Sequence, residues 1–217
     1  MSTGTEAYYE RRAAEYDRVY EKPERQADIA ELERLVGQHL AGRRVLEVAA
    51  GTGFWTRVFA DAAKAVTATD VNESTLDVAR RRRRWPDHVH FQRCDAFALD
   101  QVAGRYDAAF VGFFWSHVPL DRLDSFLTGL VARLEPGATV LIVDNTFVAG
   151  SNHPITRTDE GGNTYQRREL ADATRWEVLK NFPSPEDLTA QLAPHGDRAT
   201  VAFLTYYWTA TFRTPDA

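Results

Sequence analysis

The chain has a single cysteine, Cys94, in 217 residues, which excludes an internal disulfide and with it the small disulfide-built secreted folds. It has no apolar run of the length that crosses a bilayer, and Met1-Ser2-Thr3-Gly4-Thr5-Glu6 carries no apolar signal region. These absences lead to the expectation of a cytoplasmic protein that makes no use of a membrane. Histidine is scarce: the six are scattered, none forms an H-x-x-x-H pair, and no metal site is expected. There is no surplus of positive charge either. The formal net charge of -5 argues against a general nucleic-acid binder. Repeats, low-complexity tracts and glycine-, proline- or serine-rich linkers are also missing, so one compact domain over residues 1–217 is expected.

What is present is a regular alternation of strand and helix patterns around Val45-Leu46-Glu47-Val48-Ala49-Ala50-Gly51-Thr52-Gly53. An apolar strand ends in an acidic residue and runs into a glycine loop, with Asp70 seventeen residues beyond Gly53. In a parallel α/β sheet, such glycines let the backbone approach a ligand, and a helix expected from about Phe54 points its amides at it. The next strand, Val66-Thr67-Ala68-Thr69, ends at Asp70, where a carboxylate can accept from both ribose hydroxyls. An adenosine-type cofactor is therefore expected. The third glycine of G-x-G-x-x-G is lacking, with Thr56 in its place, which weighs against a pyrophosphate. Glu47 would repel phosphates but attract a ligand carrying an ammonium and a sulfonium, as S-adenosylmethionine does. A Tyr-x-x-x-Lys pair is absent too, which disfavours a nicotinamide-dependent reductase.

At these residues the sequence resembles the class I S-adenosylmethionine-dependent methyltransferases. The family's acidic-x-Gly-x-Gly-x-Gly motif reads Glu47-x-Ala49-x-Gly51-x-Gly53 here, with Ala49 departing from the first glycine. Cys94-Asp95-Ala96-Phe97 follows a third strand, His88–Gln92. Tyr106–Gly112 with Phe113-Phe114-Trp115-Ser116-His117 resembles the fourth strand and its sequel, and Leu134–Asp144 the fifth. The likeness extends over residues 8–145 and implies a Rossmann-like, doubly wound, seven-stranded, mostly parallel sheet. It divides the chain into a helical lid (1–40), a cofactor-binding core (43–145), an acceptor cap (146–182) and a C-terminal helix with an antiparallel edge (183–217). By the same resemblance, Glu47, Ala49, Gly51 and Gly53 frame the methionine end of S-adenosylmethionine. Asp70 then takes the ribose, Asp95 with Phe97 frames the adenine, and Val71, Ala96 and Phe113 are further cofactor-binding residues.

Tyr8–Tyr20 reads as a helix with Tyr9, Arg12 and Tyr16 on one face, either gripping the cofactor's carboxylate as a lid or simply packing on the domain. Ile29, Leu32, Leu35 and Val36 in the next helix read as core. Arg80-Arg81-Arg82-Arg83-Arg84 ends a helix that starts near Glu73, and five cations there complement the macrodipole as a solvated end. Near the C-terminus, the helix pattern Pro185–Leu192 precedes two β-rich runs, Thr200–Leu204 and Tyr206–Phe212. The aromatics Tyr206, Tyr207 and Trp208 are candidates for a dimer surface, so a monomer and a homodimer both stay open.

The acceptor is a small molecule on this reading, and its nucleophile decides what the protein must supply. A phenol, alcohol or protonated amine needs a base, for which His117 is placed just past the fourth strand. An anionic oxygen needs only cations to hold it. Residues 146–182 favour the second case, since Arg168 and Lys180, with His117 opposite and Tyr16 from the lid, could orient a doubly charged oxyanion; the same cations could instead be solvated surface charges. The size, the cationic cap and the Lys180-Asn181-Phe182 context resemble phosphonate O-methyltransferases among the tailoring enzymes of antibiotic pathways. N- or C-methylation of a neutral molecule, and a non-catalytic cofactor-binding regulator, are the alternatives.

Overall fold

The computed structural model describes residues 8, 17, 19–169 and 174–216. Ten strands run in chain order as β1 (Arg44–Val48), β2 (Ala65–Asp70), β3 (Val89–Arg93), β4 (Tyr106–Gly112), β5 (Leu134–Asn145), β6 (Ile155–Thr158), β7 (Thr164–Glu169), β8 (Arg175–Leu179), β9 (Asp197–Phe203) and β10 (Tyr207–Arg213). Seven of them form one sheet in the order β3-β2-β1-β4-β5-β10-β9. The first five are parallel, while β10 runs antiparallel to both β5 and β9. The seven-stranded, mostly parallel sheet read from the sequence is thus the observed one. The chain leaves β1 in one direction for β2 and β3, then returns to the other side for β4 and β5. That switch opens a crevice beyond the C-terminal ends of β1 and β4, where open α/β sheets bind their ligands.

Hydrophobic patterning explains the layers. Leu46 and Val48 point into a core on one face of the sheet with Trp115, Phe126 and Trp208, and Val45 points into a second core with Phe59, Val66 and Phe110. Among the described residues five α-helices cover these faces: α1 (Gln26–Leu40), α2 (Thr56–Phe59), α3 (Glu73–Arg82), α4 (Leu123–Val131) and α5 (Pro185–Leu192). Along α1, Ile29, Leu32, Val36 and Leu40 are buried at i, i+3, i+7 and i+11, whereas Leu35, expected in the core, sits half-buried beside that stripe. α5 begins with Pro185 at its first turn and a reciprocal capping box between Ser184 and Asp187, which satisfies its orphan amides.

Three expectations are corrected. The helix after the glycine loop starts at Thr56 rather than Phe54 and lasts one turn, because Trp55 and Phe59 turn into the core and the chain then breaks into turns. It brings too few aligned peptides for a useful dipole at the ligand. Tyr207 and Trp208 are 1% and 0% exposed, since β10 lies between two strands and is covered on both faces; they form core, not a dimer surface. The arginine run is also not uniformly solvated: the side chain of Arg82 is 21% exposed and turns back toward the glycine loop, while that of Arg81 is 78% exposed.

The cap forms a separate antiparallel sheet, β6-β7-β8. Its hairpin turns at Gly161-Gly162, where Gly162 takes φ +82° and Asp159 accepts from the Asn163 amide. The cap is stitched onto the segment after β4 by Asn181 N–H to the Ser116 carbonyl (2.8 Å) and Leu120 N–H to Asn163 Oδ1 (2.8 Å). Among the described residues no helix is long and apolar enough to cross a membrane.

Candidate cofactor and acceptor site

Two adjoining cavities open at the crevice beyond β1 and β4. The larger, about 360 Å³, is lined by Glu47, Ala49, Gly51, Asp70, Val71, Asp95, Ala96, Phe97 and Phe113, all named from the sequence as cofactor residues. Gly53 is the exception. It is not in the wall but packs the loop onto α3, where a Cβ would lie 3.1 Å from that of Ala79, and its φ of +72° suits glycine.

The loop is held open by its own backbone. Ala49, Gly51 and Gly53 take φ of 57°, 57° and 72°, the Ala50 amide donates to the Thr69 carbonyl (2.8 Å), and the Gly51 amide donates to Asp70 Oδ2 (2.9 Å). Ala49 thus takes a left-handed conformation while carrying a Cβ, at a cost of about 1–2 kcal/mol. Asp70 Oδ1 accepts in addition from the Asn72 amide (2.8 Å). Burial nevertheless raises the Asp70 carboxyl above its usual pKa, against the pull of those amides. Glu47, 1% exposed at the end of β1, accepts from Thr56 Oγ1 (2.7 Å), and burial pushes it up to about 8. Two desolvated carboxyls in one cavity are a receptor for a ligand that brings positive charge and hydroxyl donors. On the other side, Asp95 Oδ1 accepts from the Phe97 amide (2.9 Å), and the Arg122 guanidinium lies 3.5 Å from the Phe97 ring centroid, which gives a flat surface for a base.

The smaller cavity, about 170 Å³, shares Tyr20, Phe113 and His117 with the larger. Phe113 is the partition. Its φ of 59° is unusual for a bulky residue and holds its ring stacked on Trp55, with centroids 5.5 Å apart. Beyond it stand His117, Arg168 and Lys180, which the structure brings together as the sequence reading placed them, in a wall that also includes Lys22 and Arg25. No Asp or Glu lines this cavity among the described residues.

Each cation is held by a different device. Arg25, 2% exposed, donates to Ser151 Oγ (2.8 Å from Nη2) and to Asn145 Oδ1 (3.4 Å), and lies over Tyr206 and Tyr207. Arg168 donates to Gln166 Oε1 (3.0 Å) and faces the Tyr8 ring at 5.6 Å. Lys180 donates to Ser116 Oγ (2.6 Å) and Asp144 Oδ1 (3.0 Å), while Ser116 Oγ donates on to Asp144 Oδ2 (2.8 Å). Burial brings Lys180 down to about 8 against the pull of Asp144. Burial alone would raise Asp144, but Lys180 and the Ser116 and Asn145 amides outweigh it and hold the carboxyl below its usual range. His117 Nδ1 lies 2.6 Å from the Leu179 carbonyl, and burial with the neighbouring Lys180 holds the ring well below its usual pKa. A carbonyl only accepts, so the neutral ring carries its proton on Nδ1 and its lone pair on Nε2.

Tyr9, Arg12 and Tyr16 lie outside the described residues. Arg25, Tyr20 and Asn145 were missed in the sequence, although Arg25 carried a signal. It stands four residues before Ile29 and seven before Leu32, a cation on the stripe that α1 buries. Among the described residues, no cluster of three or more His, Cys, Asp and Glu is arranged to hold a metal.

The geometry has counterparts. A family model described as a methyltransferase domain matches residues 45–137. A demethylmenaquinone methyltransferase of Clavibacter sepedonicus is 35% identical over 165 residues, covering 75% of this chain and 63% of that protein. A second enzyme of that name, from Renibacterium salmoninarum, is 34% identical over 48% of this chain and 41% of its own length. The chain thus spans about two fifths to two thirds of these curated relatives. Among solved structures, DhpI in complex with SAH is 32% identical over 97% of this chain and 95% of DhpI, with a TM-score of 0.77. The complex of DhpI with SAM and HEP gives 31% identity, 94% coverage of each chain and a TM-score of 0.78.

Proposed function

Because the chain belongs to the class I S-adenosylmethionine-dependent methyltransferases and takes S-adenosylmethionine as its methyl donor, we propose that its acceptor is a small molecule methylated on an anionic oxygen, a phosphonate or a carboxylate. The observation that carries this reading is the smaller cavity. Four cationic side chains line it, its described wall holds no carboxylate, Asp144 lying beneath Lys180 and Glu24 behind Ser151, and its 170 Å³ suits a compact oxyanion. Arg25 and Arg168 match the forked geometry of such a group. Lys180 adds a point charge tuned by burial.

The larger cavity supplies the rest of the chemistry. Glu47 and Asp70 attract the ammonium and ribose hydroxyls of the cofactor, and Asp95 with Phe97 fits the adenine. Bound there, S-adenosylmethionine supplies a methyl group already activated by sulfonium, so an oxyanion can take it without giving up a proton while the carbon–sulfur electrons remain on sulfur. The partition residues Tyr20, Phe113 and His117 would align the two ligands and keep water from between them. Methylation removes one negative charge from the acceptor, so the cations hold product less tightly than substrate.

The name of the two curated relatives, demethylmenaquinone methyltransferase, favours a second reading, methylation of a quinone-type acceptor without an anionic oxygen. The neutral His117, with its lone pair on Nε2, has the form a base for that chemistry requires. The test is formation of S-adenosylhomocysteine with a panel of small hydroxyalkylphosphonates, carboxylates and a naphthoquinol, using the wild type and Arg168→Gln. The expected result is turnover of an oxyanion, with KM raised at least tenfold by Arg168→Gln. Turnover of the naphthoquinol alone, insensitive to that substitution, would replace the oxyanion reading.

A further inference from the structure

We infer that Arg82 is a positioning residue for the cofactor, acting through Thr52 and Asp17 to fix the glycine loop in its cofactor-lining position. The starting observation is the arginine run at the end of α3. Arg80 pairs with Glu73 and Asp77, Arg81 with Asp77, and Arg83 with Asp61, all at the surface. Arg82 instead crosses to the loop that carries the cofactor motif. Its Nε donates to the Thr52 carbonyl (2.7 Å), and its Nη2 pairs with the Asp17 carboxylate. Thr52 Oγ1 donates to the other oxygen of that carboxylate (2.6 Å). One guanidinium, one carboxylate and both oxygens of Thr52, itself 2% exposed, therefore close a ring joining three segments distant in sequence.

The ring's place gives it a role. Thr52 and Gly51 line the cofactor cavity, and three residues beyond Asp17 the ring of Tyr20 stacks on Phe54 with centroids 4.0 Å apart and forms part of the wall of both cavities. The ring thereby holds Thr52 and the glycine loop in the cavity wall. Its charged side chains, 21% and 31% exposed, lie between the surface pairs that contribute little and the buried pairs that seldom break. Arg82 thus acts on cofactor residence, and it rests on the cofactor site alone, whatever the acceptor proves to be.

The test is the dissociation rate of S-adenosylhomocysteine, followed in a stopped-flow instrument through Trp55, which lines the cavity. Arg82→Gln and Asp17→Asn are each expected to raise that rate about fivefold or more, with the association rate within twofold and thermal stability nearly unchanged. The double variant should be no faster than the faster single one, because both break the same ring. Arg81→Gln should match the wild type. Unchanged dissociation in both single variants, or effects that multiply in the double, would overturn the inference. A fall in thermal stability with the dissociation rate intact would reduce Arg82 to a structural tie and overturn it too. Failure of the wild type to bind S-adenosylhomocysteine would overturn the inference together with the cofactor site, whereas failure of every acceptor would leave these rates as stated.

Discussion

Replacing Lys180 by methionine tests the electrostatics of the smaller cavity most directly. The Lys180 and Asp144 side chains are 5% and 0% exposed and 3.0 Å apart, so the substitution strands a buried carboxylate. Removing one partner of a buried pair costs about 3–5 kcal/mol. Asp144 would keep its bonds from the Ser116 amide and hydroxyl and from the Asn145 amide and side chain, which puts the cost near the lower end of that range. For a domain of this size about 1 kcal/mol moves Tm by roughly 2–4 °C, so a fall of roughly 6–12 °C is expected. Adding Asp144→Asn removes the stranded charge and should recover most of the loss. Thermal melts followed by circular dichroism give the numbers. A single variant that melts within about 2 °C of the wild type, or a double variant no more stable than the single, would refute the account of Lys180 as a paired, buried cation.

The remaining expectations concern the cofactor cavity. Glu47 is raised from 4.5 to about 8 in the folded protein, so its contribution to the stability of the empty protein is full below pH 4.5 and is lost as pH rises through about 8. A cofactor ammonium favours the carboxylate, so binding at pH 7 should release close to one proton, detected as a buffer-dependent calorimetric enthalpy; Glu47→Gln should abolish the dependence, and a buffer-independent wild type would contradict it. Ala49→Gly relieves a left-handed alanine and should stabilise the protein by about 0.5–1 kcal/mol in a urea titration, the gain being trimmed by the freer unfolded chain; a loss of stability would show that Ala49 is not strained. Asp70→Ala removes the acceptor for two backbone amides as well as the ribose partner, and should reduce S-adenosylhomocysteine affinity at least a hundredfold by calorimetry. Undiminished binding would relocate the site.

What could be read directly from the sequence was whatever depends on local order along the chain. Strand β4 and helix α5 have the bounds their patterns indicate, because a continuous apolar run and a Ser-Pro-x-Asp cap are local signals. The cofactor wall was legible for the same reason: in an open α/β sheet, Glu47, Asp70 and Asp95 sit at or just past the C-terminal ends of adjacent strands, so order along the chain becomes proximity in space. Where elements compete for space, the pattern was not enough. β10 entered between β5 and β9 and was covered on both faces, and that packing turned Tyr207 and Trp208 from candidate surface into core.

The acceptor side stands on the other half of that divide. His117, Arg168 and Lys180 could be named one by one from residue type, but their meeting, and the addition of Arg25 from before α1, required the cap to fold back on β4 and β5. The same holds for Arg82, one of five identical neighbours in the sequence, which only the packing of α3 against the glycine loop sets apart. Hydrophobic periodicity and a glycine motif report the local backbone and determined the sheet and the cofactor it carries. The charge of a cavity is a sum over segments far apart in the chain, including what neutralises each group, and only the tertiary structure decided it.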